Sequence, residues 1–173
     1  MTGGVFTQGL VRAEAGLVRV IRICLGLGLI AMVVINVANA TARYSGLFTL
    51  IGADEALVYG MIWIVMLGAI LAARDRDHLS VNLLPAGLSG RAAGVVRLVI
   101  DLATMGVCAF VAWHSLDFIE RIAMIGQTSM ALGIPMTIPH AAIFTGFAGM
   151  ALVTACLILF DLVRLSETPE GRA

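Results

Sequence analysis

Residues 17–38 read LVRVIRICLGLGLIAMVVINVA, and the part from Ile23 to Ile35 is an uninterrupted apolar run. A helix needs about 20 mostly apolar residues to cross the hydrocarbon core of a bilayer, so this stretch predicts a transmembrane span. Three more stretches have the same character, at about residues 56–73, 92–113 and 136–163. The sequence therefore predicts an all-α integral membrane protein with four transmembrane helices in one membrane domain, residues 1–173.

The composition of the chain supports a lipid environment and excludes one class of partner. Of its 173 residues 60% are hydrophobic and 13% are charged, and the mean hydropathy is +1.01. A soluble domain of this size cannot hide so much apolar surface. Lysine is absent, and 11 arginines balance 11 acids. Without a net positive charge the chain offers no broad basic surface, so no nucleic acid is expected among its partners.

The arginines lie almost entirely on one side of the predicted spans. Nine of the 11 fall before or at the beginning of span one, around the connection between spans two and three, or after span four. Only Arg43 and Arg121 fall on the other side. Because cytoplasmic loops of membrane proteins are enriched in basic residues, both termini are predicted to be cytoplasmic. The expected location is the inner membrane of a bacterium.

The first helix is expected to exceed the thickness of the bilayer. A helix from Leu10 to Ala38 is about 43 Å long, against a hydrocarbon core of about 30 Å. We therefore expect it to tilt, with Arg12, Arg19 and Arg22 along the lipid headgroups.

The sequence Ala38-Asn39-Ala40 also resembles a signal-peptidase site, and cleavage there would leave three spans. We expect an uncleaved span because the basic region that precedes the apolar run is long.

Short segments at the membrane surfaces are predicted to join the spans. The first outer loop covers Asn39 to Asp54, and the cytoplasmic loop begins Arg74-Asp75-Arg76-Asp77-His78, followed by a short segment on the inner membrane surface. The third helix is expected to continue to residue 125, with an i,i+4 pair of Asp117 and Arg121, and to end at Gly126.

Acidic residues near and inside the spans each have two interpretations. Asp54 and Glu55 open the second span, where Asp is a good N-cap and acids favour the positive end of the helix dipole. The alternative is a docking contact or a partner for Arg43. Asp101 lies inside the third span, where it either pairs locally with Arg97 or forms an ion site, a proton site or an intersubunit salt bridge.

Small residues on the fourth span predict close helix packing. Gly146 lies one turn after Ala142, and Gly149 lies one turn after Thr145. These small residues form a ridge for another helix of this chain or of a partner.

The sequence shows no catalytic constellation, no metal site and no cofactor motif. The three cysteines lie in apolar runs without a CxxC pair, and we predict neither disulfides nor metal ligation by them.

The order of several short motifs resembles the small permease subunit of tripartite ATP-independent periplasmic (TRAP) transporters, the DctQ-like family. The resemblance runs from about Leu17 to Leu162. It rests on Arg43-Tyr44, Asp54-Glu55, Trp63, Gly68-Ala69, Arg74, His78, the run Val81-Asn82-Leu83-Leu84 and the run from Ser129 to Met136. By this resemblance Arg43, Tyr44, Asp54, Glu55, Trp63, Gly68 and His78 are structural or interface positions, and none is assigned to substrate.

The resemblance implies a scaffold and docking subunit in an ion-gradient-driven transporter. Its partners would be a large multi-spanning permease subunit and a periplasmic solute-binding protein, and the substrate an organic acid such as a C4-dicarboxylate or sialic acid. Two other functions stay open from the residues alone. His114 and His140 near span ends suggest a haem- or quinone-associated anchor of a redox complex, and the chain could be an independent small transporter.

Overall fold

Four long helices make up the part of the chain that the computed structural model describes, residues 3–46, 51–75 and 91–166. They are α1 (Gly3–Tyr44), α2 (Ala53–Arg74), α3 (Arg91–Ile125) and α4 (Thr137–Ser166). Each contains a window long and apolar enough to cross a membrane. The predicted all-α architecture with four membrane-spanning helices is therefore confirmed.

Helix α1 is longer than the sequence indicated. It has 42 residues, or about 63 Å at 1.5 Å per residue, and it continues beyond both predicted ends. At the C-terminal end of α1 the Thr41 hydroxyl donates to the Val37 carbonyl at 2.8 Å, and the Ser45 hydroxyl donates to the Thr41 carbonyl at 2.8 Å. The helix includes residues 39–44, which the sequence analysis assigned to the outer loop. That loop is correspondingly shorter than predicted.

Helix α2 begins at a glycine cap. Gly52 is the N-cap, with φ of 84° in the left-handed region, and it provides no side-chain hydrogen bond. Asp54 and Glu55 follow inside the first turn, where their charges favour the positive end of the helix dipole. The prediction that Asp54 itself caps the helix was wrong, because the cap position falls two residues earlier.

Helix α3 ends where the sequence predicted. Gly126 has φ of 65°, its amide donates to the Ala123 carbonyl at 3.2 Å, and the Gln127 amide donates to the Ile122 carbonyl at 3.4 Å. This pair of bonds is a Schellman motif, and glycine fits its left-handed position without strain. The predicted ion pair of Asp117 and Arg121 was wrong, since the salt bridges of the described residues do not include it.

The helices pack as an open row in the order α1, α2, α4, α3. Within the described residues α4 contacts both α2 and α3, while α1 contacts only α2. The small buried core lies around Ala73, Cys108 and Met150, one residue from each of α2, α3 and α4. An open row leaves long apolar faces uncovered, and α1 is the most exposed of the four helices.

Candidate functional site

The first turn of α2 joins three elements at one end of the molecule. Asp54 Oδ2 lies 3.5 Å from Arg43 Nη1 of α1, and Asp54 Oδ1 accepts a 3.3 Å hydrogen bond from the Asn39 amide. Asn39 is only 2% exposed, whereas the arginine and the aspartate are at the surface. Asp54 therefore links the end of α1 to the beginning of α2, which agrees with its interpretation as a partner for Arg43.

The neighbouring carboxylate of Glu55 binds a different element. Its Oε1 accepts the backbone N–H of Ala131 at 3.2 Å, and its Oε2 accepts that of Leu132 at 3.1 Å. Hydrogen bonds to a charged acceptor are stronger than those between neutral groups. Two consecutive acids thus point to two elements: Asp54 to α1, and Glu55 to the connection between α3 and α4.

The segment that Glu55 binds is a short hairpin, residues 127–136, which we call the α3–α4 hairpin. Its two sides are joined by the Ser129 amide donating to the Ile134 carbonyl at 2.9 Å and by the Met136 amide donating to the Gln127 carbonyl at 3.0 Å. The Ser129 hydroxyl accepts the Ile134 amide at 3.3 Å, and Ser129 is buried. These bonds join the two sides of the turn and fix its shape.

Gly52 lies directly beneath the tip of this hairpin. A Cβ at residue 52 would come within 2.6 Å of Leu132 Cδ2 and 2.9 Å of Leu132 Cγ. Glycine is therefore required twice here, for the positive φ of the cap and for the close approach of the hairpin.

The opposite end of α1 and α2 carries a second group of charged contacts. Arg74 donates from Nε and Nη2 to Glu14 Oε1, at 3.0 and 2.8 Å, and from Nη1 to Asp75 Oδ1 at 3.1 Å. Asp75 also pairs with Arg22 of α1. Arg22, which the sequence analysis expected along the lipid headgroups, thus has a carboxylate partner at the end of α2; its position relative to the headgroups stays a prediction.

The small residues of α4 face α2 of the same chain. A Cβ on Gly146 would lie 2.7 Å from Met66 Sδ and 2.8 Å from Met66 Cβ, and one on Gly149 would lie 2.5 Å from Ile70 Cδ1. Of the two choices for the ridge, the structure thus places these two glycines in the α2–α4 contact. A Cβ on Gly68 of α2 would meet no neighbouring group within 4 Å, so packing does not require glycine there.

The other predicted site residues are scattered. Tyr44 is 91% exposed at the end of α1, Trp63 is half-buried in α2, and Asp101 is 2% exposed in α3, the helix that packs against α4. Asp117 is half-buried and Arg121 is exposed near the end of α3. His78 lies outside the described residues. The roles of these residues at a partner interface stay predictions.

A groove of about 300 Å³ lies between α2 and α3, over α4. Its only buried polar atom without a partner, among the residues described, is the Thr154 hydroxyl. No lining residue is charged, so the groove offers packing space and not a site for an ionic solute. The lining residues are Val65, Met66, Ala69, Ala73, Thr104, Cys108, Phe147, Met150 and Thr154.

Sequence reasoning missed several of the contacts that organise the two ends. Glu14 was not selected as a site residue, although it binds Arg74. Gly52 was also missed, and a glycine just before two acids and an apolar run was a usable signal for a helix start. The amides of Ala131 and Leu132 gave no signal, because backbone donors are present at almost every residue.

These observations define a multi-pass membrane protein whose described spans are continuous helices, with ion pairs joining α1 and α2 at both of their ends. The sequence profile of the DctQ component of tripartite ATP-independent periplasmic transporters matches residues 18–164, which include most of all four helices. The chain belongs to this family, and it is a small permease subunit of the TRAP transporter class.

A named relative agrees with this assignment. Over 131 residues the chain is 28% identical to the isethionate TRAP transporter permease protein DctMQ of Oleidesulfovibrio alaskensis. The aligned part is 72% of this chain and 21% of that protein, so the chain spans about a fifth of the length of the relative.

The redox-anchor alternative receives no support from either comparison. In the structure His140 Nδ1 lies 2.6 Å from the Met136 carbonyl oxygen, and its ring packs near Phe118. The His114 ring lies edge-on to Phe110, with centroids 4.4 Å apart. His114 therefore contacts a ring of its own helix, and His140 contacts the Met136 carbonyl and a ring of α3.

Proposed function

We propose that the chain is the scaffold and docking subunit of an ion-gradient-driven TRAP transporter for an organic acid. The observation that carries the proposal is the family match across all four helices. The relative named DctMQ is about five times the aligned length, which fits a small component joined to a much larger permease. The proposed partners are that large multi-spanning permease subunit, a periplasmic solute-binding protein and the surrounding lipid.

The geometry suits a scaffold better than a transport path. Carriers commonly build a midplane site from broken helices whose ends bind substrate and ions. Here α2 and α4 run unbroken through the membrane, and the groove beside them has an apolar lining without charge. The open row of helices leaves apolar faces that suit association with other helices in lipid. We infer neither substrate binding nor catalysis by this chain.

We place both termini in the cytoplasm and the molecule in a bacterial inner membrane. The uneven distribution of arginines supports this orientation, with nine on the proposed inner side and two on the outer side. In that orientation the Glu14–Arg74 end of the α1–α2 pair faces the cytoplasm. The Asp54–Glu55 end and the α3–α4 hairpin then face the periplasm, where a solute-binding protein arrives.

Co-purification tests the proposed function. The tagged chain, expressed with the large permease subunit encoded by the same organism, should retain that subunit through affinity and size-exclusion chromatography in mild detergent. Liposomes containing both subunits and supplied with the binding protein should accumulate an organic acid under a sodium gradient, while liposomes containing this chain alone should not. A stable monomer that recovers no large subunit would contradict the proposal.

A further inference from the structure

We propose that the α3–α4 hairpin is a preformed docking surface for an uncharged patch on the large permease subunit, and that Glu55 is the residue that holds it in shape. This inference rests on the proposed function, since it assigns one of the two protein partners to a particular surface. It is carried by the exposure of the hairpin, by its lack of charge and by the bonds that fix its backbone.

The hairpin and the helix end before it expose large apolar side chains. Met130 at the tip is fully exposed, Met124 and Ile125 at the end of α3 are about four-fifths exposed, and Leu132 is 39% exposed. Loops and turns in water are normally polar, and contiguous exposed apolar groups mark sites of contact with another protein or with the membrane. This segment therefore has the composition of a covered surface.

Charge is absent from the hairpin and its surroundings in sequence. The chain has no Asp, Glu, Lys or Arg from Ile122 to Phe160, so the α3–α4 hairpin carries no formal charge. Interface cores are depleted in charged residues and enriched in methionine, and permanent interfaces are more apolar than transient ones. An uncharged, methionine-bearing surface thus matches an uncharged surface on a permanent partner.

The permanent partner in a TRAP transporter of the proposed kind is the large membrane subunit. The solute-binding protein has to arrive and leave in every cycle, and charged surfaces serve such encounters because they steer association. At the same end of the molecule the carboxylate of Glu55 is held by the hairpin amides. Other charged groups there, among them Arg43, Asp54, Glu120 and Arg121, lie outside the hairpin. These residues offer a surface for the transient partner, while the hairpin does not.

Lipid headgroups are a poorer match for the hairpin than protein is. Segments that rest in the headgroup layer are anchored by Trp, Tyr, Lys or Arg. Residues 127–136 read QTSMALGIPM and contain none of these four residue types. The exposed Met130 therefore has no anchoring neighbour within the hairpin.

Glu55 gives this surface a fixed form before any partner binds. Its two oxygens hold the amides of Ala131 and Leu132, on either side of which lie the exposed Met130 and the turn residue Gly133. Gly52 allows Leu132 to rest on the beginning of α2. A surface that is ordered in advance loses less conformational entropy on association. Glu55 is therefore a positioning residue that acts through the hairpin.

The first test introduces a charge at the tip. In co-purification with the large permease subunit, Met130→Asp should lower the recovered large subunit at least ten-fold. The melting midpoint of this chain alone should not change, because the Met130 side chain is fully exposed. The matched control is Ile51→Asp, an 85% exposed residue at the same end but outside the hairpin, which should leave recovery unchanged.

The second test separates the two adjacent acids. Glu55→Gln should speed hydrogen exchange at the Ala131 and Leu132 amides and lower recovery of the large subunit several-fold, while Asp54→Asn should leave exchange at both amides unchanged. Amides that stay protected in Glu55→Gln would show that this carboxylate does not hold the hairpin.

Full recovery of the large subunit with Met130→Asp overturns the proposal. If that variant instead loses capture of the solute-binding protein, the hairpin belongs to that partner; if it loses neither, the hairpin faces lipid or water. Failure of the wild-type chain to recover the large subunit would instead contradict the proposed function, so the two failures are distinguishable.

Discussion

Gly52 shows how a single residue connects two elements. It combines a left-handed backbone with the close approach of Leu132. Gly52→Ala should cost about 1–2 kcal/mol for the conformation and about 1 kcal/mol or more for the overlap with Leu132. The matched control is Gly46→Ala, where φ is 71° but space is open, so only the conformational cost applies. The free energy of unfolding of the two variants is measured in detergent micelles. Equal losses of stability in Gly52→Ala and Gly46→Ala would contradict the predicted overlap.

The contacts of Asp54 should differ in value according to burial. The Arg43–Asp54 pair is exposed to solvent, so Arg43→Ala should cost about 1 kcal/mol or less. Asp54→Ala should cost more, about 1–3 kcal/mol, because it also removes one hydrogen-bond acceptor of the buried Asn39 side-chain amide. The check is the free energy of unfolding of both single variants and the double variant. A larger loss for Arg43→Ala would mean that the ion pair, and not the buried amide, dominates this contact.

At the scale of elements, the α2–α4 contact depends on close approach. Gly146→Ala places a methyl group 2.8 Å from Met66 Cβ, which cannot move away without the α2 backbone. We expect a loss of about 1–3 kcal/mol from overpacking. Gly68→Ala is the matched control on α2, because nothing lies within 4 Å of the added atom. Since alanine has a higher helix propensity than glycine, this variant should be as stable as the wild-type chain or more stable. Thermal unfolding of the two variants in micelles compares them directly.

The attachment of α1 relies on its two ends as well as on its apolar contact with α2. Arg74→Gln removes the bonds to Glu14 and should broaden the distance distribution between spin labels on α1 and α2 near that end. High salt should broaden it in the wild-type chain too, because exposed pairs are screened. The control is Arg19→Gln, which changes an exposed arginine of α1. An unchanged distribution in Arg74→Gln would show that helix packing alone holds α1.

At the scale of the whole molecule, the proposed orientation predicts which residues face each side of the membrane. In a background without the three native cysteines, Tyr44→Cys and Met130→Cys should react with a membrane-impermeant maleimide in intact spheroplasts. Ala15→Cys, at the opposite end of α1, should react only after the membrane is permeabilised. The reverse pattern would place the hairpin in the cytoplasm, and with it the surface that we assign to the large permease.

The open row also explains why the chain is expected to function in an assembly. Only three helix pairs are in contact among the described residues, and α1 and α3 each contact a single neighbour. A row of this kind has two broad apolar faces that lipid or other helices must cover. The small buried core beside these faces is consistent with a subunit that gains stability from its partners.

The sequence by itself determined the four membrane helices, because lipid as a solvent requires long apolar stretches with internally bonded backbones. It also determined the end of α3 at Gly126 and the family, which depends on the order of motifs such as Asp54-Glu55.

Only the tertiary structure decided which helices are neighbours. Each membrane span carries apolar side chains on every face, so the hydrophobic pattern of the sequence does not show which face packs against another helix. Only the tertiary structure, likewise, brought Glu55 to the amides of Ala131 and Leu132 and Arg74 to Glu14, since these partners lie 60 to 77 residues apart in the chain and backbone donors have no sequence signature.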